Sequence, residues 1–123
     1  MSQIRSRDTA PELAVRRMVH SMGYRYRLHV SSLPGKPDLV FPRLRRIIDV
    51  RGCFWHQHEG CIDSHIPKTR QGYWRPKLIG NCQRDTANGR MLKELGWRVC
   101  VVWECEVCQE KRLARRLARF LGR

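Results

Sequence analysis

Residues of three kinds in this 123-residue chain have the chemistry and spacing to form a site. The first are acids. Ten residues separate Pro37-Asp38 from Asp49-Val50-Arg51. If the two stretches pair as a hairpin, the carboxylates meet at its end and, with a backbone carbonyl, form an oxygen-lined site suited to Mg2+. Such a cation polarises a phosphate and lowers the pKa of a water, while a nearby base or cation completes the attack, so the layout suits phosphodiester hydrolysis. Each acid alone has a plainer explanation: Asp38 as a turn carboxylate after Pro-Gly-Lys-Pro, Asp49 as an exposed strand residue paired with Arg46. The second kind are metal ligands. Cys53, His58 and Cys61 offer three soft or borderline donors within nine residues, and Cys105 can complete a tetrahedral Cys3His zinc site, which would be structural because it is closed. Cys108, His56 and His65 are rival ligands, whereas Cys82 and Cys100 read as ordinary thiols. The third kind could meet a polyanion. Phe54, Trp55 and Trp74 lie on polar, basic segments, and Lys36, Lys68, Arg70, Arg75 and Lys77 are candidate phosphate contacts, which supply affinity without sequence information.

Composition agrees with the third kind. Lys and Arg number 25 against 11 Asp and Glu, for a formal charge of +14 and a pI of about 10.6, which makes nucleic acid the first partner to consider. A membrane is not expected, because the longest apolar run, 99–103, is far too short to span one. No apolar signal segment follows Met1, so a cytoplasmic, nucleoid-associated protein is expected. Six cysteines in such a chain point to metal binding or free thiols rather than disulfides.

The elements that must position these residues follow from periodicity. Thr9-Ala10-Pro11-Glu12 opens a helix running to about Met22, with Gly23 as its stop. Strands are expected over 24–30, 38–41 and 46–50, the last two joined by a basic turn. From 52 to 72 no period holds, and a stretch of that length needs another source of order, such as a metal. A helix over 73–95, with Pro76 in its first turn and Gly96 at its end, leads to the most apolar strand, 97–103. A last helix over 110–121 buries Leu113, Leu117 and Leu121. Its arginines, Arg112, Arg115, Arg116 and Arg119, read as a solvated face that also has the charge to touch DNA. The order is α-β-β-β-α-β-α, an α/β sandwich around a small mixed sheet with a parallel pair across the helical crossover, in a single domain over 1–123.

The pair Asp38 and Asp49, with Arg51 in the lysine slot, resembles the PD-(D/E)xK nuclease signature, and the element order agrees with its restriction-endonuclease-like fold. The chain more specifically resembles the very-short-patch repair (Vsr) endonucleases. The resemblance rests on Arg7-Asp8-Thr9-Ala10-Pro11-Glu12, Leu33-Pro34-Gly35-Lys36-Pro37-Asp38, Gly52-Cys53-Phe54-Trp55-His56, Pro67-Lys68-Thr69-Arg70, Tyr73-Trp74, Asn81, Arg84-Asp85 and the blocks from Leu95 to Cys105. It implies Mg2+ at Asp38 and at the carbonyl of Val50, and zinc at Cys53, His58, Cys61 and Cys105. It also implies His56 as general base or acid, assisted by Glu12, and aromatics wedged beside a mismatch, where unstacking is cheapest. Glu12 has a rival role as capping-box partner of Thr9, and His56 as a zinc ligand. A free imidazole titrating near neutrality is the better use of His56.

Two departures stand out. Familiar members of the family carry His at the Arg51 position and no acid at Asp49, and the zinc loop here is slightly longer at Glu59-Gly60. Arg51 stays protonated at neutral pH, so it would hold phosphate or orient Asp49, and Asp49 would add a metal ligand. The expected function is Mg2+-dependent nicking of double-stranded DNA 5′ to the T of a T:G mismatch, by a monomer, to start short-patch repair. Such mismatches arise by deamination of 5-methylcytosine, which makes a DNA cytosine methyltransferase the functional companion. The competing readings are a basic zinc module that binds nucleic acid without catalysis, and a nuclease acting on another DNA substrate.

Overall fold

The computed structural model describes residues 9–61 and 68–122. Arg7, Asp8, His65 and Pro67, named above, lie outside the described residues. The elements are α1 (Ala10–Ser21), β1 (Arg27–Leu28), β2 (Leu39–Phe41), β3 (Arg46–Arg51), α2 (Gln71–Glu94), β4 (Arg98–Trp103) and α3 (Glu110–Phe120), with a 3-10 turn at Glu104–Glu106 between β4 and α3. Their order is the expected one.

Helix ends are set by local chemistry. Thr9 caps α1, its hydroxyl accepting from the Glu12 N–H at 3.3 Å, and Pro11 sits in the first turn, where its missing N–H costs nothing. Gly23 (φ 96) and Gly96 (φ 91) adopt the left-handed conformation after α1 and α2. In each case the last carbonyls are satisfied by a pair of hydrogen bonds: Gly23 N to His20 O and Tyr24 N to Val19 O, Gly96 N to Lys93 O and Trp97 N to Leu92 O. Both turns aim the chain back into the sheet.

The sheet runs β1-β2-β3-β4, with β1-β2 and β2-β3 antiparallel and β3-β4 parallel. Strand alternation sends Leu39, Phe41, Ile48, Cys100 and Val102 to one face, where they meet Val15 and Val19 of α1 and Leu113 and Leu117 of α3. Val40 and Ile47 point the other way, toward Leu92 of α2 and Trp97. Helices thus cover both faces. Asp49 and Arg51 continue the Ile47 side of β3, which places them on the α2 face.

Two boundaries differ from expectation. The strand expected over 24–30 shrinks to Arg27–Leu28 because His29 turns at φ 46, and Tyr24 and Tyr26 instead pack edge-on against Phe41. Helix α2 begins two residues before Tyr73, so Pro76 lies inside it rather than in its first turn. The ring removes one backbone hydrogen bond there, which neighbouring packing must offset.

Candidate active site and metal centre

The β2-β3 register brings the two acids together. Leu39 faces Ile48, so the next pair outward is Asp38 opposite Asp49. The Asp38 N–H donates to Asp49 Oδ1 at 3.2 Å, and the Val50 N–H donates to Asp38 Oδ2 at 2.8 Å. Arg46 does not pair with Asp49; it donates to the carbonyls of Phe120 and Leu44, and Arg51 is the cation nearest Asp49, at 3.9 Å. Burial, reinforced by the neighbouring Asp49 charge, pushes the Asp38 carboxyl up to about 7. Burial raises Asp49 as well. Two half-buried carboxylates held edge to edge in this way fit a divalent cation, whose charge would relieve both desolvation and mutual repulsion.

On one side of the pair lies Glu12, only 2% exposed. Its backbone uses the Thr9 cap, but its carboxylate does not close a capping box; it accepts from Arg16 and meets His29 Nε2 at 2.7 Å. His29 Nε2 also stands 3.9 Å from Asp38 Oδ1, so Glu12, His29 and Asp38 offer three potential ligand atoms within 4.8 Å of one another. Sequence reasoning missed His29. Its signal is a non-glycine residue that must take φ 46 to end β1 while its N–H donates to the Asp38 carbonyl, and that is visible only in three dimensions.

On the other side lies His56. Its Nδ1 is 2.6 Å from Asp85 Oδ2 on α2, leaving Nε2 as the nitrogen for chemistry. Asp85 is brought to His56 by α2, whose Leu92 packs with Ile47 of β3. Arg51, His56, Asp85, Thr86 and Trp103 line an open cleft of about 520 Å3. His58 lines the same cleft, and the clustered ligand atoms are those of Cys53, His58, Cys61 and Cys105, without His56.

That cluster comprises Cys53, His58, Cys61 and Cys105, whose donor atoms all lie within 4.8 Å of one another. His58 Nδ1 is 3.6 Å from Cys53 Sγ and 3.4 Å from Cys105 Sγ, and its ring stacks on Trp103 at 4.1 Å. Burial, with the Cys105 and Cys61 thiols beside it, pushes the Cys53 thiol up to about 12, and burial raises Cys105 too. A thiophilic cation would reverse that by holding the thiolates, and the donor set fits one. Cys108 is exposed and donates to the Cys105 carbonyl; Cys100 is buried in the core and Cys82 packs near the His56 carbonyl. The Cys53 N–H is anchored by Glu104, just after β4.

Phe54, Trp55 and Trp74 form one half-buried aromatic cluster, with centroids 5.0–5.7 Å apart, and exposed Tyr73 packs edge-on against Trp74. Asn81 of α2 donates to the Trp55 carbonyl at 2.9 Å and ties the loop to the helix. Lys68 and Arg70 are exposed at the start of α2, with Arg70 over the Tyr73 ring at 4.7 Å, and exposed Lys36 lies in the turn just before Asp38. Among the described residues no helix is long and apolar enough to cross a membrane.

The family model described as DNA mismatch endonuclease Vsr matches residues 1–62. The type II nicking enzyme V.XorIIP of Xanthomonas oryzae pv. oryzae is 50% identical over 121 residues, covering 98% of this chain and 88% of that protein. The type II nicking enzyme V.NmeAIP of Neisseria meningitidis serogroup A is 39% identical over 116 residues, 90% of this chain and 82% of its own. The DNA mismatch endonuclease Vsr of Escherichia coli is 40% identical over 113 residues, 92% of this chain and 72% of its own. Likeness of this extent, running from the Glu12 helix through the acid pair to Cys105, places the chain: it belongs to the Vsr family of DNA endonucleases.

Proposed function

We propose that the protein is a Mg2+-dependent nicking endonuclease that cuts double-stranded DNA 5′ to the T of a T:G mismatch. The observation that carries this reading is the Asp38-Asp49 pair with the His56-Asp85 dyad beside it, at the end of β3. A module that only bound DNA would gain nothing from acids facing phosphate and would be repelled by them. Asp38 and Asp49, with the Val50 carbonyl, would hold Mg2+, which when bound supplies positive charge at the scissile phosphate. Asp85 orients the His56 ring through Nδ1, so that Nε2 takes the proton of the attacking water. Arg51 holds Asp49 and a phosphate oxygen. Glu12, behind His29, supports the Asp38 side. Cys53, His58, Cys61 and Cys105 would hold Zn2+, which keeps the loop carrying Phe54, Trp55 and His56 attached to the end of β4.

The aromatic cluster supports the mismatch reading. Phe54, Trp55 and Trp74 are linked mainly to each other, and Lys36, Lys68 and Arg70 supply phosphate contacts around them. The protein acts as a monomeric, single-domain enzyme of the restriction-endonuclease-like class, inside the cell at the nucleoid. A companion DNA cytosine methyltransferase creates the 5-methylcytosine whose deamination yields T:G. The Asp49-Arg51 pair favours a second reading, a nuclease of the same mechanism with a different DNA substrate. Mapping nicks on a duplex library with a central T:G or T:A pair in randomised flanks decides between them. Nicks 5′ to the mispaired T in a restricted set of flanks support repair; equal nicking of both pairs supports the second reading.

A further inference from the structure

Helix α3 carries more positive charge than its own chain neutralises. Its 11 residues, Glu110–Phe120, hold five cations and one acid. The apolar side goes to the core: Leu113 and Leu117 are buried with Val15 and Val19 of α1 and with Leu39 and Phe41 of the sheet. Lys111, Arg115 and Arg119 follow one another at four-residue intervals, so they share the side turned away from those leucines, on the order of 6 Å apart along the axis. All three are exposed. Arg116 donates to Glu106 at 3.0 Å and to the Val101 carbonyl at 2.7 Å, and Arg112 donates to Gln109 at 3.2 Å. Lys111, Arg115 and Arg119 pair with no acid among the described residues. Like charges at this spacing repel one another and disfavour the helix, a cost that a bound polyanion removes. The stripe also lies across the sheet from the aromatic cluster. Helix α2, which carries Trp74 and holds Trp55 through Asn81, packs on the Val40 and Ile47 side, whereas α3 packs on the Leu39 and Ile48 side. Arg46, at the start of β3, donates to the Phe120 carbonyl at 3.0 Å, so α3 runs from the Asp49 end of β3 toward its other end.

We propose that the outer side of α3 is a second DNA surface, which holds a further stretch of fully paired duplex while the aromatic cluster engages the first. Forked guanidinium donors on a rigid helix suit a phosphate backbone, and contacts to phosphate carry no sequence information, so this stretch can be any duplex. A protein partner would need an apolar anchor, and among the described residues none of the exposed large hydrophobics is on α3. The place of the first duplex rests on the proposed function; the place of the second rests on α3 alone.

The test is sedimentation of the full, zinc-loaded chain at low salt without Mg2+, with one equivalent of a short T:G duplex and an excess of a fully paired duplex carrying a different dye. The wild type is expected to form a particle of one chain with both dyes. Lys111→Gln with Arg115→Gln and Arg119→Gln, which keeps good helix formers in α3, should hold the T:G duplex and lose the other. Arg43→Gln with Arg90→Gln and Lys93→Gln removes the same charge from exposed positions elsewhere and should keep both. One duplex per wild-type chain, however much paired duplex is added, would overturn the proposal, as would both dyes only in particles of two chains. Equal loss of the second duplex in the two triple variants would also overturn it, because diffuse charge would then suffice. Loss of the T:G duplex in the α3 variant would place α3 on the first surface and overturn it too. Failure of the aromatic placement shows separately, as a T:G affinity that Trp55→Ala leaves unchanged.

Discussion

Asp38 is the residue on which the proposed chemistry converges, and its environment has a thermodynamic consequence. Its pKa rises from 3.8 to about 7, so the folded state holds the proton more tightly than the unfolded chain does. Stability is therefore lost as pH rises from the unfolded value through about 7, by on the order of 4 kcal/mol for the full rise. Denaturant titrations without divalent ions should show Asp38→Asn more stable than wild type at pH 8, with the advantage shrinking toward pH 6. A difference independent of pH would contradict the assignment. Across the cleft, Asp85→Asn removes the carboxylate that fixes the His56 ring and its tautomer and should lower single-turnover nicking by about 10²- to 10⁴-fold while the fold survives. A smaller fall would mean that His56 needs no orienting partner. Asp38, Asp49, Cys53, His58 and Cys61 were legible in the sequence because their spacing is short or the hairpin between them is local, whereas Cys105, far along the chain, was legible from its place just after the last strand and from the family resemblance. His29 and Asp85 were not. Each meets its partner across 17 and 29 residues, through a turn and a helix face that no spacing rule encodes.

At the scale of elements, periodicity recovered the order and nature of all seven, and the parallel β3-β4 pair followed from the helical crossover. What it could not recover were ends controlled by single residues. Alternation over 24–30 reads as a strand, but only Arg27 and Leu28 pair with β2, and His29 then turns at φ 46. Pro76 reads as a first-turn residue, but α2 starts earlier, where Arg70 takes a left-handed conformation and accepts from Tyr73 and Trp74. The irregular stretch from Gly52 onward was expected to depend on a metal, and among the described residues its ties include the Cys/His cluster, the His56–Asp85 contact and the Asn81 and Glu104 anchors. Cys105→Ser should therefore reduce bound zinc, measured with a chromogenic chelator, and open residues 53–61 to protease while the sheet keeps its far-ultraviolet circular dichroism. A variant that loses zinc and keeps an uncut loop would show that the loop holds itself.

At the scale of the whole molecule, a charge of +14 suits sequence-independent affinity for DNA, and in the proposed function the aromatic cluster supplies the local contact with bases. Replacing Lys36, Lys68 and Arg70 together with Gln should flatten the dependence of log affinity on log salt by about 2.7, at about 0.9 for each phosphate contact. Trp55→Ala should instead weaken binding to T:G duplex by about 1–3 kcal/mol, roughly 5- to 150-fold, without changing that slope. The central claim is that this basic α/β sandwich cuts one strand at a T:G mismatch with a cation held by Asp38 and Asp49. The most direct measurement is single-turnover nicking of end-labelled T:G and T:A duplexes, with and without Mg2+, by the wild type and by Asp38→Asn. The account predicts a nick 5′ to the mispaired T, in the T:G duplex alone, that needs Mg2+ and disappears in the variant. Tight binding of the T:G duplex by a zinc-loaded wild type that nicks neither duplex would contradict it.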